Sequence, residues 1–212
     1  MSCSLSVRTE EPTRSCAQES QRFRKFMRSR SAPRLSRSLE CNCRGLSKIK
    51  LNPFGLSDAA GDVEIYHAAG SSDRTSLHAI EQSFDKTLLT AVVRTGDWYM
   101  ETAGVECVSF LKVDVEGDDL STLRGFERTL NERRILAIQF EHGEPSVESR
   151  TFLRDIVGFL VTFDFTCFQL YPRSLEKVDK YGYNMEDFRG RNYVALSPRL
   201  AQSLKGIVSP GV

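Results

Sequence analysis

Two carboxylates and a glycine close an apolar run near the middle of the chain. Residues 110–117 have the sequence FLKVDVEG, so Asp114, Glu116 and Gly117 follow hydrophobic residues typical of a buried strand. If both acidic residues stay in strand conformation, their side chains share a face ~6.6 Å apart along the chain and could serve one site. Carboxylates there could accept hydrogen bonds from hydroxyl or amine groups, or take a proton during group transfer. The simpler alternatives are solvated caps on a strand end or, for Asp114, an ion pair with Lys112, which strand parity places on the same face.

A second apolar run also ends in polar residues. Residues 135–140 have the sequence ILAIQF, the pattern of a strand buried on both faces of a parallel sheet, and Glu141 and His142 follow it. The carboxyl ends of neighbouring strands form the ligand-binding edge of an open α/β sheet. We therefore expect Glu141 to lie near Asp114. His142 could act as a general base near neutral pH, although a single histidine in a loop is more often a surface residue.

Helices must connect the strands that carry these groups. Residues 118–130 predict one amphipathic helix with Asp118 as its N-cap and Asp119 in the first turn, where a negative charge suits the helix dipole. Its buried stripe is Leu120, Leu123, Phe126 and Leu130. A second helix is predicted over residues 147–160, with a stripe of Phe152, Leu153, Ile156, Val157 and Leu160.

The remaining strands are indicated by β-branched and alternating runs. Upstream these are IKLNPFGLSD, DVEIYHA and LLTAVVRT, and downstream they are VTFDFTCFQLYP and RNYVALSP. The weakly alternating segment SLSVRTEEP near the start could form one more short strand. Because strands and helices alternate through the middle of the chain, we predict an α/β sheet that finishes in an antiparallel pair.

Charge is distributed unevenly along the chain. The first 50 residues hold 12 Lys and Arg against 4 Asp and Glu, whereas the rest holds 17 against 24. This basic, Ser-rich head predicts a poorly ordered segment over residues 1–46, with organellar import or contact with a polyanion as sharper alternatives. Glu10 and Glu11 weaken the import hypothesis, and nucleic-acid binding is not favoured. We divide the remainder into a domain over residues 47–200 and a tail over residues 201–212.

Cysteine usage and hydropathy restrict the class of protein further. Six cysteines occur without a secretory signal or a dense disulfide pattern, which favours a reducing compartment and predicts a cytoplasmic protein. Cys41 and Cys43 have no second ligand pair at zinc-binding spacing, so no metal is expected. No run approaches the ~20 apolar residues needed to cross a bilayer, so a soluble protein without a membrane span is expected.

Seven fragments in order carry a resemblance to a known family. They are LNPFGLSD, GDVEIY, VVRTGDW, FLKVDVEGDDLSTLRGF, RILAIQFEHGE, SRTFLRD and NYVALSP. The series resembles the FkbM-type methyltransferases over about residues 49–198. The resemblance implies a Rossmann-like class I methyltransferase sheet, mostly parallel with an antiparallel carboxyl-terminal strand pair. It also implies S-adenosylmethionine as cofactor and a hydroxyl oxygen of a small molecule or glycan as acceptor.

The resemblance also implies roles for individual residues. FLKVDVEG would be the fourth strand of the family's sheet and ILAIQFEH the fifth. The implied catalytic residues are Asp114, Glu116, Glu141 and His142. The implied cofactor-binding residues are Glu11 at the ribose of the cofactor, at the end of a second strand formed by SLSVRTEEP, Ser57 and Asp58 at its adenine, and Asp114 near its methyl group.

One part of the family pattern has no counterpart before Ile49. None of the 14 glycines is separated from another by a single residue, so a glycine-rich nucleotide loop is not expected. The family's first strand, its Asp-x-Gly-x-x-x-Gly-like loop that cradles the methionine part of the cofactor, and its first helix are not found either. Relative to the family, the chain is therefore expected to be truncated at its amino terminus. The missing strand would leave an unpaired edge on the fourth strand, which the head, a partner protein or another copy of the chain would have to cover. The alternative function is accordingly a catalytically inactive interaction module.

Overall fold

The computed structural model describes residues 7–8, 22–26, 49–68, 75–76 and 86–203. Within these ranges the strands are β1 (Val7–Arg8), β2 (Arg22–Phe26), β3 (Ile49–Pro53), β4 (Gly55–Leu56), β5 (Gly61–Ala68), β6 (Thr75–Ser76), β7 (Lys86–Arg94), β8 (Phe110–Lys112), β9 (Ala137–Gly143), β10 (Thr166–Tyr171), β11 (Ser174–Lys177) and β12 (Arg189–Leu196). The helices are α1 (Gly96–Thr102), α2 (Asp119–Arg124), α3 (Glu127–Asn131), α4 (Pro145–Glu148), α5 (Leu153–Val161) and α6 (Pro198–Ser203), and a short 3₁₀ turn spans Tyr183–Met185.

The largest sheet has the strand order β1-β8-β9-β12-β10-β11. β8 and β9 run parallel, with Leu111 opposite Ile138, as the two apolar runs predict. β12 lies antiparallel between β9 and β10, which confirms the predicted antiparallel pair at the carboxyl end. The prediction of a mostly parallel sheet is wrong, because β1 and β11 also pair antiparallel. Helical crossovers give β8, β9 and β10 one direction, but the insertion of β12 separates β9 from β10. The architecture is therefore mixed α/β.

The main core lies between this sheet and the helices on one of its faces. Leu111, Ile138 and Phe140 from the sheet pack with Leu123 and Ile156 from the helices, all at 1% exposure or less. Every member of the first predicted stripe is buried, which confirms that stripe. In the second stripe Phe152 is an exception with 46% exposure, because α5 begins only at the next residue.

Each of the two predicted helices is broken in the structure. The first divides into α2 and α3 around Gly125, where a side chain would overlap the carbonyl oxygen of Ser57. The second divides into α4 and α5 around Arg150, whose backbone adopts a left-handed φ of 54°. Both interruptions occur where the chain turns against another element, which periodicity alone does not reveal.

The segment upstream of the main sheet forms smaller sheets. β5 and β7 make an antiparallel hairpin from Gly61 opposite Val93 to Ala68 opposite Lys86. β4 joins β7 in parallel, and β3 pairs in parallel with β2. The three upstream strands predicted from the sequence are thus confirmed, and the turn that follows β4 carries Ser57 and Asp58.

The free edge of β8 is paired with part of the head. β1 lies antiparallel to β8, with Val7 opposite Leu111 and Arg8 opposite Phe110. The prediction of a short strand in SLSVRTEEP is confirmed. It pairs antiparallel with β8, whereas the resemblance implies the second strand of a mostly parallel sheet. Glu11 lies outside the described residues, and so does most of the head. Among the described helices, none is both long and apolar enough to cross a bilayer.

Candidate active site

The turn after β8 carries the first pair of predicted site residues. The ladder to β9 continues through the Val113 amide, which donates to the Gln139 carbonyl at 2.8 Å. The chain then turns sharply, with φ of 51° at Glu116 and 100° at Gly117. A side chain at Gly117 would overlap the carbonyl oxygen of Pro145, so this left-handed position requires glycine. Glu116 no longer has strand conformation, so strand alternation does not place it on the same face as Asp114. The expectation that the two share a face is therefore wrong.

Asp114 forms the ion pair that strand parity allowed. Its Oδ2 lies 2.9 Å from Lys112 Nζ, and the two side chains keep 27% and 32% of their surface exposed. A pair in contact with water contributes little to stability, typically ~0–1 kcal/mol. Asp114 is therefore held in place as a carboxylate and remains open to solvent.

Glu141 lies beside Asp114 across the strand pair. Lys112 is opposite Gln139, and extending this register by two residues places Asp114 next to Glu141. Glu141 is exposed, but neighbouring protein atoms partly exclude water from its carboxyl, and this desolvation raises its pKa. The Asp114 charge raises the pKa further, and Lys112 lowers it. The expectation that the two strand ends bring these carboxylates together is confirmed.

The Glu141 side chain occupies the space left by the missing side chain of Gly190 on β12. A Cβ at Gly190 would lie 2.9 Å from Glu141 Oε1, and Gly190 has a left-handed φ of 69°. Asn192 is directly opposite Glu141, and its Oδ1 accepts a hydrogen bond of 2.8 Å from Gln139 Nε2. Sequence reasoning missed both amides. Gln139 is two residues before Glu141 in β9, so strand alternation could have placed it on the same face. The position of Asn192 beside Glu141 results from the insertion of β12 next to β9, which the sequence does not indicate.

His142 points to the opposite face of β9. β9 extends to Gly143, so His142 lies in a strand with 1% exposure, and its expected place in a surface loop is wrong. Its Nε2 lies 2.9 Å from Glu186 Oε2, and its ring packs against Phe188 at a centroid distance of 4.9 Å. Burial lowers the pKa of the imidazole, although Glu186 partly opposes this shift.

Glu186 connects His142 to the start of α5. Its two carboxylate oxygens accept hydrogen bonds from the backbone amides of Leu153 at 3.0 Å and Arg154 at 3.1 Å. These amides belong to the first turn of α5 and would otherwise lack a partner within the helix. Glu186 was not identified from the sequence, because its partners are 32 to 44 residues away.

Asp119 is a buried acid at the start of α2. Its side chain is 3% exposed, and its Oδ1 has no hydrogen-bond partner among the described residues. Burial, followed by the charges of Asp114 and Asp118, raises the pKa of Asp119 to about 8. The carboxyl is thus mostly protonated near pH 7, contrary to the expectation of a charge that interacts with the helix dipole.

Ser57 and Asp58 lie in the turn after β4. The Ser57 amide donates to the Arg94 carbonyl at 3.0 Å, and its hydroxyl donates to Asp58 Oδ1 at 3.2 Å. The turn is fixed to α2 because Thr122 Oγ1 donates to the carbonyl of Leu56 at 3.1 Å. In the described part of the chain, no group of three or more His, Cys, Asp or Glu side chains is arranged to hold a metal ion.

Comparison with known proteins assigns the family. The sequence profile of the methyltransferase FkbM domain matches residues 26–184, which is most of the chain. The chain belongs to the FkbM methyltransferase family. The resemblance carried by the seven fragments is thereby confirmed.

Two individual proteins are similar to this FkbM-family chain. The 2-O-methyltransferase NoeI of Sinorhizobium fredii (strain NBRC 101917 / NGR234) is 27% identical over 126 residues, which cover 58% of this chain and 50% of NoeI. The chain therefore spans about half the length of this curated relative. The crystal structure of methyltransferase FkbM from Methylobacillus flagellatus KT is 16% identical with a TM-score of 0.43, covering 76% of this chain and 31% of that one.

In the FkbM-family chain, the predicted site residues occupy three places. Asp114 and Glu141 meet at the carboxyl ends of β8 and β9. His142 faces the core on the other side of β9. Ser57 and Asp58 lie above α2, and their role at adenine stays a prediction. The catalytic assignments likewise stay predictions, but the geometry separates Glu141 from His142.

Proposed function

We propose that this FkbM-family chain functions in methyl transfer from S-adenosylmethionine to a hydroxyl oxygen of a small-molecule or glycan acceptor. The observation that carries the proposal is the meeting of Asp114 and Glu141 at the carboxyl ends of two parallel strands. This edge is where ligands bind in open α/β sheets. The similarity to NoeI, a 2-O-methyltransferase, supports oxygen as the methylated atom.

The polar groups at this edge fit the chemistry of the cofactor. S-adenosylmethionine supplies an electrophilic methyl group on a positively charged sulfur. The Asp114 and Glu141 oxygens accept hydrogen bonds and attract positive charge. In this proposal Asp114 borders the methyl group, and Ser57 and Asp58 contact the adenine.

We assign the role of general base to Glu141. A carboxylate whose pKa is raised holds a proton more tightly than an ordinary one and is therefore a stronger base toward an acceptor hydroxyl. Desolvation raises the pKa of Glu141, the Asp114 charge raises it further, and Lys112, which lowers it, holds Asp114 in position. Glu141 is also exposed, so an acceptor can approach it.

His142 is assigned a positioning role instead. Its Nε2 is occupied by Glu186 and its side chain is 1% exposed, so an acceptor hydroxyl at the strand edge does not reach it. The pair links β9 to α5 and stabilises the strand end on which Glu141 stands.

Calorimetric titration with S-adenosylmethionine tests the proposal directly. We expect saturable binding by the full chain, weakened at least tenfold in Asp114→Asn. Glu64→Gln is a matched control, because Glu64 is an exposed acid on β5, in a different sheet. Equal losses in both variants, or no binding at millimolar cofactor, would contradict the proposal.

A specific observation supports the second candidate, an interaction module. The outer edge of β8 is paired only through the two residues of β1, among the residues that the structure describes. A short pairing of this kind leaves backbone groups that a partner strand could use. The module predicts no cofactor binding together with self-association or partner binding that Lys112→Pro abolishes. Cofactor binding by a monomeric chain would contradict it.

A further inference from the structure

A groove separates α2 from α5 on the helical side of the main sheet. Its volume is about 610 Å³, and the loop between α4 and α5 contributes to its lining. Leu111, at the centre of the core under these helices, faces this side, so the groove lies across the sheet from Lys112 and Asp114. The groove is therefore distinct from the carboxylate edge.

Arginine dominates the charge of this groove. It is lined by Arg124, Arg150 and Arg154, against a single carboxylate, Asp155. Arg154 Nε lies 3.5 Å from Asp155 Oδ1, so the positive charge of Arg154 and the negative charge of Asp155 compensate each other. Within the described part of the chain, the guanidinium groups of Arg124 and Arg150 make no ion pair or hydrogen bond. Two uncompensated guanidinium groups thus face one concave surface.

Among the hydroxyl groups of the groove, some already donate to backbone carbonyls and one is free to donate to a ligand. Ser149 Oγ donates to the Ser146 carbonyl at 3.2 Å, and Thr162 Oγ1 donates to the Phe159 carbonyl at 2.6 Å. Ser121 lines the groove as well, and its hydroxyl has no partner among the described residues. The free donors of the groove are therefore the guanidinium groups of Arg124 and Arg150 and the hydroxyl of Ser121, which match a ligand with several acceptor oxygens.

The position of Arg150 is fixed by the backbone. Its φ of 54° is left-handed, a conformation that a residue with a long side chain seldom adopts. The Arg150 amide donates to the Val147 carbonyl at 3.1 Å, and the Thr151 amide donates to the Ser146 carbonyl at 2.9 Å. These bonds hold the turn in which Arg150 lines the groove. An unusual backbone held in this way is often associated with a functional site.

We propose that this arginine groove binds a phosphate or sulfate group carried by a small molecule. The planar guanidinium fork donates two parallel hydrogen bonds to such an oxyanion, and two forks with a hydroxyl satisfy three of its oxygens. The groove is larger than a single anion and falls within the ~300–1,000 Å³ of small-molecule sites. A nucleotide or a phosphorylated or sulfated sugar is the class of ligand that fits.

Calorimetric titration of the full chain with inorganic phosphate and with sulfate, at constant ionic strength, tests this site. We expect saturable binding of at least one of the two anions and at least tenfold weaker binding of acetate. Arg124→Gln should weaken the binding at least tenfold, and so should Arg150→Asn, because asparagine accepts the left-handed backbone while removing the guanidinium. Circular dichroism and thermal melting verify that each variant is folded.

Arg173→Gln is the matched control. Arg173 is exposed between β10 and β11, does not line the groove, and makes no ion pair within the described residues. Binding to the basic head is left intact in all of these variants, so a difference between Arg124→Gln and Arg173→Gln reports on the groove. Absence of saturable binding, equal binding of acetate, or equal losses in both variants would overturn the proposal.

Discussion

Glu141 and His142 are consecutive residues of β9, yet their surroundings differ in every respect that matters for chemistry. Glu141 is exposed beside Asp114, with a raised pKa, whereas His142 is 1% exposed and bound to Glu186. One face of the strand offers a reactive group to solvent, and the other uses a polar pair to hold two elements together. In β9, the face on which a side chain lies, more than the type of residue, separates a catalytic candidate from a structural one.

The largest effect is expected from Glu141→Gln, which removes the proposed base and keeps the shape of the side chain. Turnover should fall ~10²–10⁴-fold, while the free energy of unfolding changes by less than ~0.5 kcal/mol. The measurement is release of S-adenosylhomocysteine with a panel of glycan and small-molecule hydroxyl acceptors, alongside urea unfolding. Full turnover in the variant would remove Glu141 from the mechanism.

Glu186→Ala should reduce stability, because it removes the partner of the buried His142. The change leaves the amides of Leu153 and Arg154 without their acceptor and the buried His142 without its partner. Each of these three losses costs ~1–3 kcal/mol, so the free energy of unfolding measured in urea titrations should fall by at least ~3 kcal/mol. Glu64→Ala, at an exposed strand position, should change it by less than ~0.5 kcal/mol. Similar values for the two variants would show that Glu186 does not have this role.

Asp119→Asn tests whether the buried Asp119 carboxyl is neutral in the folded protein. Since the folded pKa of about 8 exceeds the ordinary value of 3.8, the stability contributed by neutral Asp119 is fully present below pH 3.8 and is lost as pH rises toward 8. At pH 8 the variant should therefore be more stable than the native chain by at least ~1.4 kcal/mol, the worth of one pKa unit. Urea unfolding at pH 5 and pH 8 measures this, with exposed Asp62→Asn as control. A variant that is less stable at pH 8 than at pH 5 by the native amount would contradict the assignment.

A smaller pH effect of opposite sign is expected from His142. Burial lowers its pKa in the folded state, so the unfolded chain binds the proton more readily, and stability is lost as pH falls below the ordinary value of 6.5. His142→Gln keeps a donor near Glu186 but does not titrate. Its unfolding free energy should therefore depend less on pH between 5 and 7 than that of the native chain. An unchanged slope would place the titrating group elsewhere.

The elements that position the site could mostly be predicted from local patterns. Periodicity identified Leu123 and Leu130 as core residues, and continuous apolar runs identified β8 and β9. The helix breaks at Gly125 and Arg150 could not be predicted, because contacts with distant carbonyls or a backbone turn determine them. The insertion of β12 between β9 and β10 also has no local signal, and it is what makes the sheet mixed.

The candidate site could be predicted only in part from the sequence. Asp114 and Glu141 follow from their position at the ends of adjacent strands. The burial of His142 did not follow, because β9 is longer than its apolar run and Glu186 lies 44 residues away. The raised pKa of Asp119 depends on packing around α2, which no spacing rule describes.

Asp114 and Glu141 form one electrostatically coupled pair at the strand edge. An NMR titration of the Glu141 carboxyl in the native chain and in Asp114→Asn tests it most directly. Removing the Asp114 charge and freeing Lys112 should both lower the pKa of Glu141 toward its ordinary value of 4.5. A pKa of Glu141 that is the same in the two proteins would contradict the account.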